Sequence, residues 1–407
     1  MSLNVAFYSD ALPTSQYGLG RYARELLRHL REVAPEVTVR PVSARAPMAR
    51  DESIFRLPYP RKIMAGLWSS IGLPRLERWT PWADLVHCVE LDYRISTRKP
   101  LVVTIHDIGP LTHPEFFRKS HPWLLKTALK FAIDRAAAII CVSRATADAV
   151  QDYMNCRLGE RLTIVPEGVS EDFFRGAEAK DARAAITDGA PYFFWAGSLN
   201  PRKNLARVLQ AFEQIAPEVP HYLVLTGGSG WDSHELLRRI QNSPAASRID
   251  LRGHVSDEEL RGFYRGATSF VYVSLMEGFG LPILEAMACG CPVITSNLSS
   301  MPEVAGDAAF LVNPLDITEI AKAMHCMATD TTFAKHLSIR GRARAEEFHW
   351  ETCALAVAGI YQRVTKNSGQ VKRSARRNAP PSQGQQPVSV EREEVCVEAS
   401  SMVSPNQ

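Results

Sequence analysis

The sequence predicts an α/β protein built from two parallel-sheet domains that face each other across a cleft. Three observations carry this. The chain has 407 residues, room for two domains. Apolar, β-branched runs alternate with stretches of helical periodicity in both halves. A polar, alanine-rich stretch at 170–190 separates the two alternations and reads as the linker.

In the first half, SLNVAFYSD reads as the opening strand, and SQYGLG at 15–20 is the loop after it. A helix follows over 21–33, with Ala23, Leu26, Leu27, Leu30 and Val33 on one face. A glycine-bearing loop between strand and helix is where open α/β sheets bind anions, so Gly18 and Gly20 are candidates; a plain turn is the alternative. Residues 40–82 read as irregular, proline-punctuated and basic, with five more basic than acidic residues between Arg40 and Arg78. They suit a core-packing insert with solvated arginines. They also suit an acceptor or membrane-surface face, with Trp68 and Trp79 dipping in beside the cations. Strands at 83–89 and 101–105 follow, the second delivering His106 and Asp107 to its carboxyl end, where such sheets hold ligands. A satisfied structural histidine is the alternative. Helix 121–135, strand 137–142, helix 143–153 and strand 162–165 complete this half, and Pro166-Glu167-Gly168-Val169 comes next.

The second half repeats the pattern: strand 192–197, helix 204–216, strand 221–226, helix 232–241, strand 249–255. Ser256 and Glu259 form a capping-box pattern for a helix reaching Ala267. Residues 269–296, SFVYVSLMEGFGLPILEAMACGCPVITS, read as strand, glycine loop, short helix, glycine stop and strand. Pro282 suits a first helical turn, and Gly290 a left-handed helix end closed off by Pro292. Helices at 317–328 and 332–348 follow, then a last helix at 350–366. Residues 367–407 are rich in Ser, Pro, Gln and charge and read as a disordered tail. The expected divisions are 1–172, 173–349, the helix 350–366 and the tail 367–407.

Composition excludes several classes. With 45% hydrophobic and 22% charged residues the chain is an ordinary globular protein. A net charge of +3 does not predict nucleic-acid binding. The eight cysteines form no CxxC pair, and Cys289 and Cys291 have no second pair to complete a zinc site. Reduced thiols in a cytoplasmic protein are the simplest reading. The opening residues are too polar for a signal peptide, and no apolar run approaches the eighteen or so residues that span a bilayer.

The chemistry concentrates in two loops. Glu277 sits before a helix start, followed by backbone amides from Gly278 to Leu281, and Glu285 lies within the helix. A carboxylate, close amides and a positive helix end suit a polyhydroxylated ligand carrying phosphate; a cap and a solvated glutamate are the alternative. Arg202 and Lys203 stand between a strand and a helix, where cations are unfavourable without a reason. Phosphate oxygens supply one, because both side chains stabilise charge that grows on a leaving diphosphate. No metal-binding DxD pattern stands beside a strand end.

The string EGFGLPILEAMACGCPVI closely resembles the signature of family-four retaining glycosyltransferases of the GT-B fold. GLGRYARELL, TIHD, VPEGV, GSLNPRKN and GHVSDEEL occur in the family's order, over about residues 3–365. The resemblance implies two Rossmann-like, doubly wound parallel-sheet domains, with the donor bound mainly to the second and the last helix crossing back to the first. It implies that Glu277 meets the donor sugar's hydroxyls, assisted by the amides of Gly278, Phe279 and Gly280, and that Glu285 meets the ribose. It matches Lys203 to the phosphate-binding lysine, His106 to the histidine beside the transferred sugar, and Gly18 and Gly20 to the loop near the phosphates. Val255 falls in the base pocket. Many members carry arginine directly after the glycine where this chain has Ser198; Arg202 is read as supplying that charge.

The family implies retention, with a front-face displacement in which the leaving phosphate assists deprotonation of the acceptor. The details look most like bacterial mannosyltransferases of polysaccharide assembly. The expected donor is GDP-mannose, with a UDP-sugar second, no metal, and a glycan or lipid-linked acceptor. Docking on the inner face of the plasma membrane through the basic segment is a further expectation. A GT-B epimerase and a non-catalytic sugar-nucleotide-binding subunit are the competing classes.

Overall fold

The computed structural model describes residues 2–13, 18–45, 53–117, 121–176, 187–228 and 233–377. Among the described residues of 1–367 stand two parallel sheets. The first has seven strands: β1 (Leu3–Tyr8), β2 (Val37–Ser43), β3 (Phe55–Arg56), β4 (Leu85–Cys88), β5 (Leu101–Ile105), β6 (Ala138–Cys141) and β7 (Leu162–Ile164), ordered 3-2-1-4-5-6-7. The second has six: β8 (Tyr192–Ala196), β9 (Tyr222–Thr226), β10 (Ile249–Gly253), β11 (Ser269–Tyr272), β12 (Val293–Ser296) and β13 (Phe310–Val312), ordered 10-9-8-11-12-13. Helices connect the strands. The central strands are mostly apolar because both faces are covered: every residue of β5, β6, β11 and β12 is buried.

Both sheets reverse their strand order once, at β1/β4 and at β8/β11. The loops leaving these strands at their carboxyl ends diverge and open a crevice, the usual ligand position in such sheets. In the second sheet Ser269 pairs with Phe193, so the loop after β8 and the loop after β11 emerge side by side. These loops carry Arg202, Lys203 and Glu277.

The structure departs from the expectations in three places. The irregular segment at 40–82 contains the end of β2, the short β3 and a helix at Arg61–Ser70. Pro41 hid the strand, yet β3 pairs with Val42 and Ser43, so among the described residues the outer side of β2 has no strand partner at Pro41 and tolerates it. In the helix, Met64, Ala65 and Trp68 are buried, and Trp68 donates its indole N–H to the Pro74 carbonyl at 2.6 Å. A strand at Phe310–Val312 had no expectation, since three residues are too few to show a period. The last helix runs from Trp350 to Arg377, past the expected end at Lys366; no proline interrupts the chain before Pro380. The rest of the expected tail, 378–407, lies outside the described residues.

The front of that helix packs on the first sheet. Tyr361 and His87 of β4 share a hydrogen bond of 2.6 Å, and the ring of Trp350 meets Tyr22 edge-on at 5.7 Å. Buried apolar side chains form a continuous core from Val5 and Leu26 through Trp350 and Val357 to Phe270 and Ile283. No described helix is long and apolar enough to cross a membrane.

Candidate active site between the two sheets

Phosphate-suited cations come first from the loop after β8. Asn200 accepts from the Lys203 amide and closes a single 3-10 turn, Pro201–Lys203. Asn204, in the left-handed conformation at φ 58°, turns the chain into the helix Leu205–Ile215 and donates to the carbonyls of Val273 and Pro314 at 3.0 and 2.7 Å. The Leu275 amide donates to Arg202 O at 2.8 Å. These bonds lash the two crevice loops together. Lys203 Nζ then reaches Glu277 Oε1 at 2.6 Å and the Tyr272 hydroxyl at 2.5 Å, while Arg202 Nη1 donates to Glu277 Oε2 and to Met276 O.

Glu277 is therefore an anion held by two cations. Burial works to raise its carboxyl, but Arg202 and Lys203 outweigh burial and bring it down to about 2. Burial brings the Lys203 ammonium down to about 8, against the pull of Glu277 and with Arg202 adding to the fall. Arg202 itself is raised by Glu277 in spite of its burial.

The Gly278 position admits only glycine. A Cβ there would lie 2.0 Å from the carbonyl oxygen of His106, at the end of β5 in the other sheet. Ser143 donates to Gly278 O at 2.6 Å, and the Thr146 hydroxyl lies 2.9 Å from His106 O, so the two loops are stitched across the cleft. Gly280, at φ 110°, then turns the chain into the helix Leu281–Ala288, with Pro282 in its first turn. Ser300 braces this turn by donating to Glu277 O and Phe279 O at 3.0 and 2.6 Å.

Glu285, one turn into the helix, is 5% exposed. It accepts from Arg21 Nη1 at 2.6 Å and from the Tyr264 hydroxyl at 3.3 Å, and Arg21 Nη2 donates to Asp257. Burial raises its carboxyl above the ordinary range, Arg21 opposes this and Asp257 adds to it. Nearby, the ends of β8, β9 and β10 meet without side chains. The Gly197 amide donates to Thr226 O, the Gly227 amide to Gly253 O, and a Cβ on Gly227 would strike Gly197 O at 1.8 Å.

Together these groups line a cavity of about 590 Å³. His106, Arg202, Lys203, Glu277, Glu285, Gly18, Gly278, Phe279, Gly280, Leu281 and Val255 all border it. Gly20 does not: it is buried in the first turn of the helix Leu19–Val33. Of the expected glycine loop, Ser15–Tyr17 lie outside the described residues. Among the described residues, no three His, Cys, Asp or Glu side chains come together to hold a metal ion.

Sequence reasoning missed Arg21, Glu167 and Tyr264, which also border the cavity. Arg21 and Glu167 stood inside the strings GLGRYARELL and VPEGV. The signal was present, but an arginine on an amphipathic helix does not announce a partner in the other half of the chain.

Comparison with known proteins bears on the family and the fold. Residues 17–173 match the family Glycosyltransferase Family 4, and residues 177–344 match Glycosyl transferases group 1. The chain is 28% identical over 383 residues to the O-antigen chain mannosyltransferase B of Escherichia coli, covering 88% of this chain and 100% of that protein. It superposes on sucrose-phosphate synthase from Thermosynechococcus elongatus with a TM-score of 0.74 at 21% identity, over 90% of this chain and 100% of the other. It superposes on Anabaena HepE in complex with UDP and glucose with a TM-score of 0.70 at 18% identity, over 89% and 100%. With both halves matched in order and two parallel sheets meeting at one cavity, the chain belongs to the family-four glycosyltransferases, has the GT-B fold and resembles bacterial mannosyltransferases.

Proposed function

We propose that this glycosyltransferase moves mannose from a nucleotide sugar to a glycan or lipid-linked acceptor in polysaccharide assembly, with retention and without a metal. The observation that carries the reading is the placement of Arg202 and Lys203 on Glu277 at the second sheet's crevice. A diphosphate entering there meets two cations and the amides that open the helix Leu281–Ala288. In this reading Glu277, as an anion, offers acceptor oxygens to sugar hydroxyls, while Glu285 takes the ribose hydroxyls. As the glycosidic bond lengthens, negative charge grows on the phosphate, where the cations hold it. In a front-face displacement the same phosphate takes the proton of the incoming hydroxyl, and no enzymic nucleophile is required. Mannose, and GDP-mannose over a UDP-sugar, are favoured by the likeness to the Escherichia coli O-antigen mannosyltransferase; HepE, a structure with UDP bound, keeps the UDP-sugar as second choice.

A thermal-shift screen tests the donor. GDP-mannose should raise the melting temperature more than UDP-glucose, since a ligand bound only by the folded state stabilises it by mass action. Mannosyl transfer should survive EDTA. A larger shift with UDP-glucose would move the assignment to that donor.

We also propose peripheral membrane docking through the segment around the helix Arg61–Ser70. Tyr59, Ile63, Ile71 and Leu73 are exposed there, with Arg56 and Lys62 also exposed beside them. Arg61 serves otherwise, bonded to Asp92 at 2.5 Å and 3.3 Å from Asp10. Co-sedimentation with anionic liposomes at low salt should therefore fall on Lys62→Glu with Ile63→Ser. No sedimentation of the wild type removes the idea.

A further inference from the structure

We infer that Glu167 is a positioning residue that keeps the His106 imidazole doubly protonated, so that the ring meets the transferred sugar as a fixed cation and not as a base. This rests on reading the cavity as a nucleotide-sugar site.

The argument is one of donors and acceptors. His106 Nε2 lies 3.0 Å from the Val89 carbonyl, and Nδ1 lies 3.3 Å from Glu167 Oε1. A carbonyl can only accept, so Nε2 carries a proton. An ionised carboxylate can only accept, so Nδ1 carries one too. A neutral imidazole has a single N–H and leaves one of the two contacts as acceptor against acceptor. With both nitrogens committed, His106 has no lone pair to take a proton from the acceptor hydroxyl.

Both partners are held rigidly. Glu167 is buried and precedes Gly168, where a Cβ would lie 2.2 Å from the Trp350 amide nitrogen. The Val169 amide donates to Phe348 O at 3.0 Å. The ring of Tyr22 stands edge-on to His106 at 4.5 Å and fixes its plane. The backbone that carries Glu167 is thus anchored to the start of the last helix.

The charged and titratable neighbours agree. From the segment after β7 comes Glu167, and from β4 and the loop after it His87 and Glu90. Tyr22 comes from the first helix, Cys353 from the last one lies near Glu167, and Asp107 follows in the chain. Arg202, Lys203 and Glu277 share the cavity. Burial lowers the His106 pKa, but the bond and charge of Glu167, with Val89 O and Glu90, outweigh it and raise it. His87, buried without a carboxylate partner and with His106 near, is pushed down to about 3 and stays neutral. The two histidines, one on β4 and one just past the end of β5, are thus driven in opposite directions, and Glu167 accounts for the difference.

The test is an NMR titration of the full-length protein labelled with 15N at histidine, with His106 assigned through His106→Gln. In the wild type the first ring nitrogen to lose its proton should do so above the ordinary histidine range. In Glu167→Gln the midpoint should fall, because an amide can donate to a bare Nδ1. The alkaline limb of kcat should move to lower pH in the same variant, whereas a merely structural role lowers kcat equally at every pH. A wild-type midpoint at or below the ordinary range overturns the proposal, and so does an equal midpoint in the two proteins. If Glu167→Gln fails to fold, the wild-type midpoint decides alone. Failure of the donor reading looks different: GDP- and UDP-sugars then give no thermal shift while the His106 midpoint stays high.

Discussion

Arg21, on the first helix of the chain, donates to Glu285, on the helix that follows the EGFG loop, at 2.6 Å across 264 positions of sequence. Both side chains are at most a tenth exposed. One guanidinium of the first half therefore occupies the carboxylate that the family resemblance reserves for a ribose, and it binds Asp257 as well. The pair joins the two halves at the cavity, so on the proposed reading a ribose and Arg21 would share one carboxylate.

Removing Arg21 leaves Glu285 buried without its cation. Arg21→Ala should lower stability to urea by about 3 kcal/mol, the usual order for breaking a buried pair from one side. Arg21→Met with Glu285→Gln should regain part of that loss. A single-variant loss below about 1 kcal/mol would show that the pair is worth no more than a surface bridge.

If Lys203 holds the donor's phosphate as proposed, donor use depends on pH. Its ammonium, brought down by burial to about 8, is charged below that pH and neutral above it. kcat/KM for the donor should therefore fall as pH rises through about 8, since this ratio reports the free enzyme. Lys203→Arg keeps a charge at every pH and should flatten that limb. A limb that persists unchanged in the arginine variant assigns it to another group.

Glu277 does the opposite for acid stability. Its folded pKa of about 2 lies below the ordinary 4.5, so it stabilises the fold above the ordinary value and loses this as pH falls through about 2. In Glu277→Gln the difference in urea stability between pH 6 and pH 3 should shrink, and transfer activity should be lost. Equal pH slopes in both proteins would mean that the two cations do not hold this carboxylate in the folded state.

Gly278 and Gly262 make a matched pair of glycines. An added methyl on Gly278 meets His106 O at 2.0 Å, whereas on Gly262, in the helix Asp257–Gly266, it meets nothing within 4 Å. Gly278→Ala must push the loop that carries Glu277 off the first sheet and should lower kcat about 100-fold, the scale of an ångström of misplacement. Gly262→Ala should leave kcat alone and add about 1 kcal/mol of stability. Comparable kcat in both variants would refute the close approach.

Local rules carried far where they were strong. Ser256 and Glu259 close the capping box that their spacing announces. Pro282 occupies the first turn of its helix, and Gly290 ends it at φ 74°. They failed where local signals were weak or misleading. Pro41 disguised β2, three residues could not reveal β13, and the solvated face of Arg61–Ser70 blurred its period because Lys62, Ile63 and Ser70 are all exposed.

The sequence by itself determined the alternation of strands and helices and the loops that carry charge, because these depend on residues a few positions apart. Only the tertiary structure decided which charges meet. Arg21 against Glu285, His106 against Glu167, and Lys203 against Glu277 are partnerships between groups 61 to 264 residues apart. Their strength comes from shared burial, which strips water from both partners at once, and no pattern along the chain encodes where two loops are desolvated together.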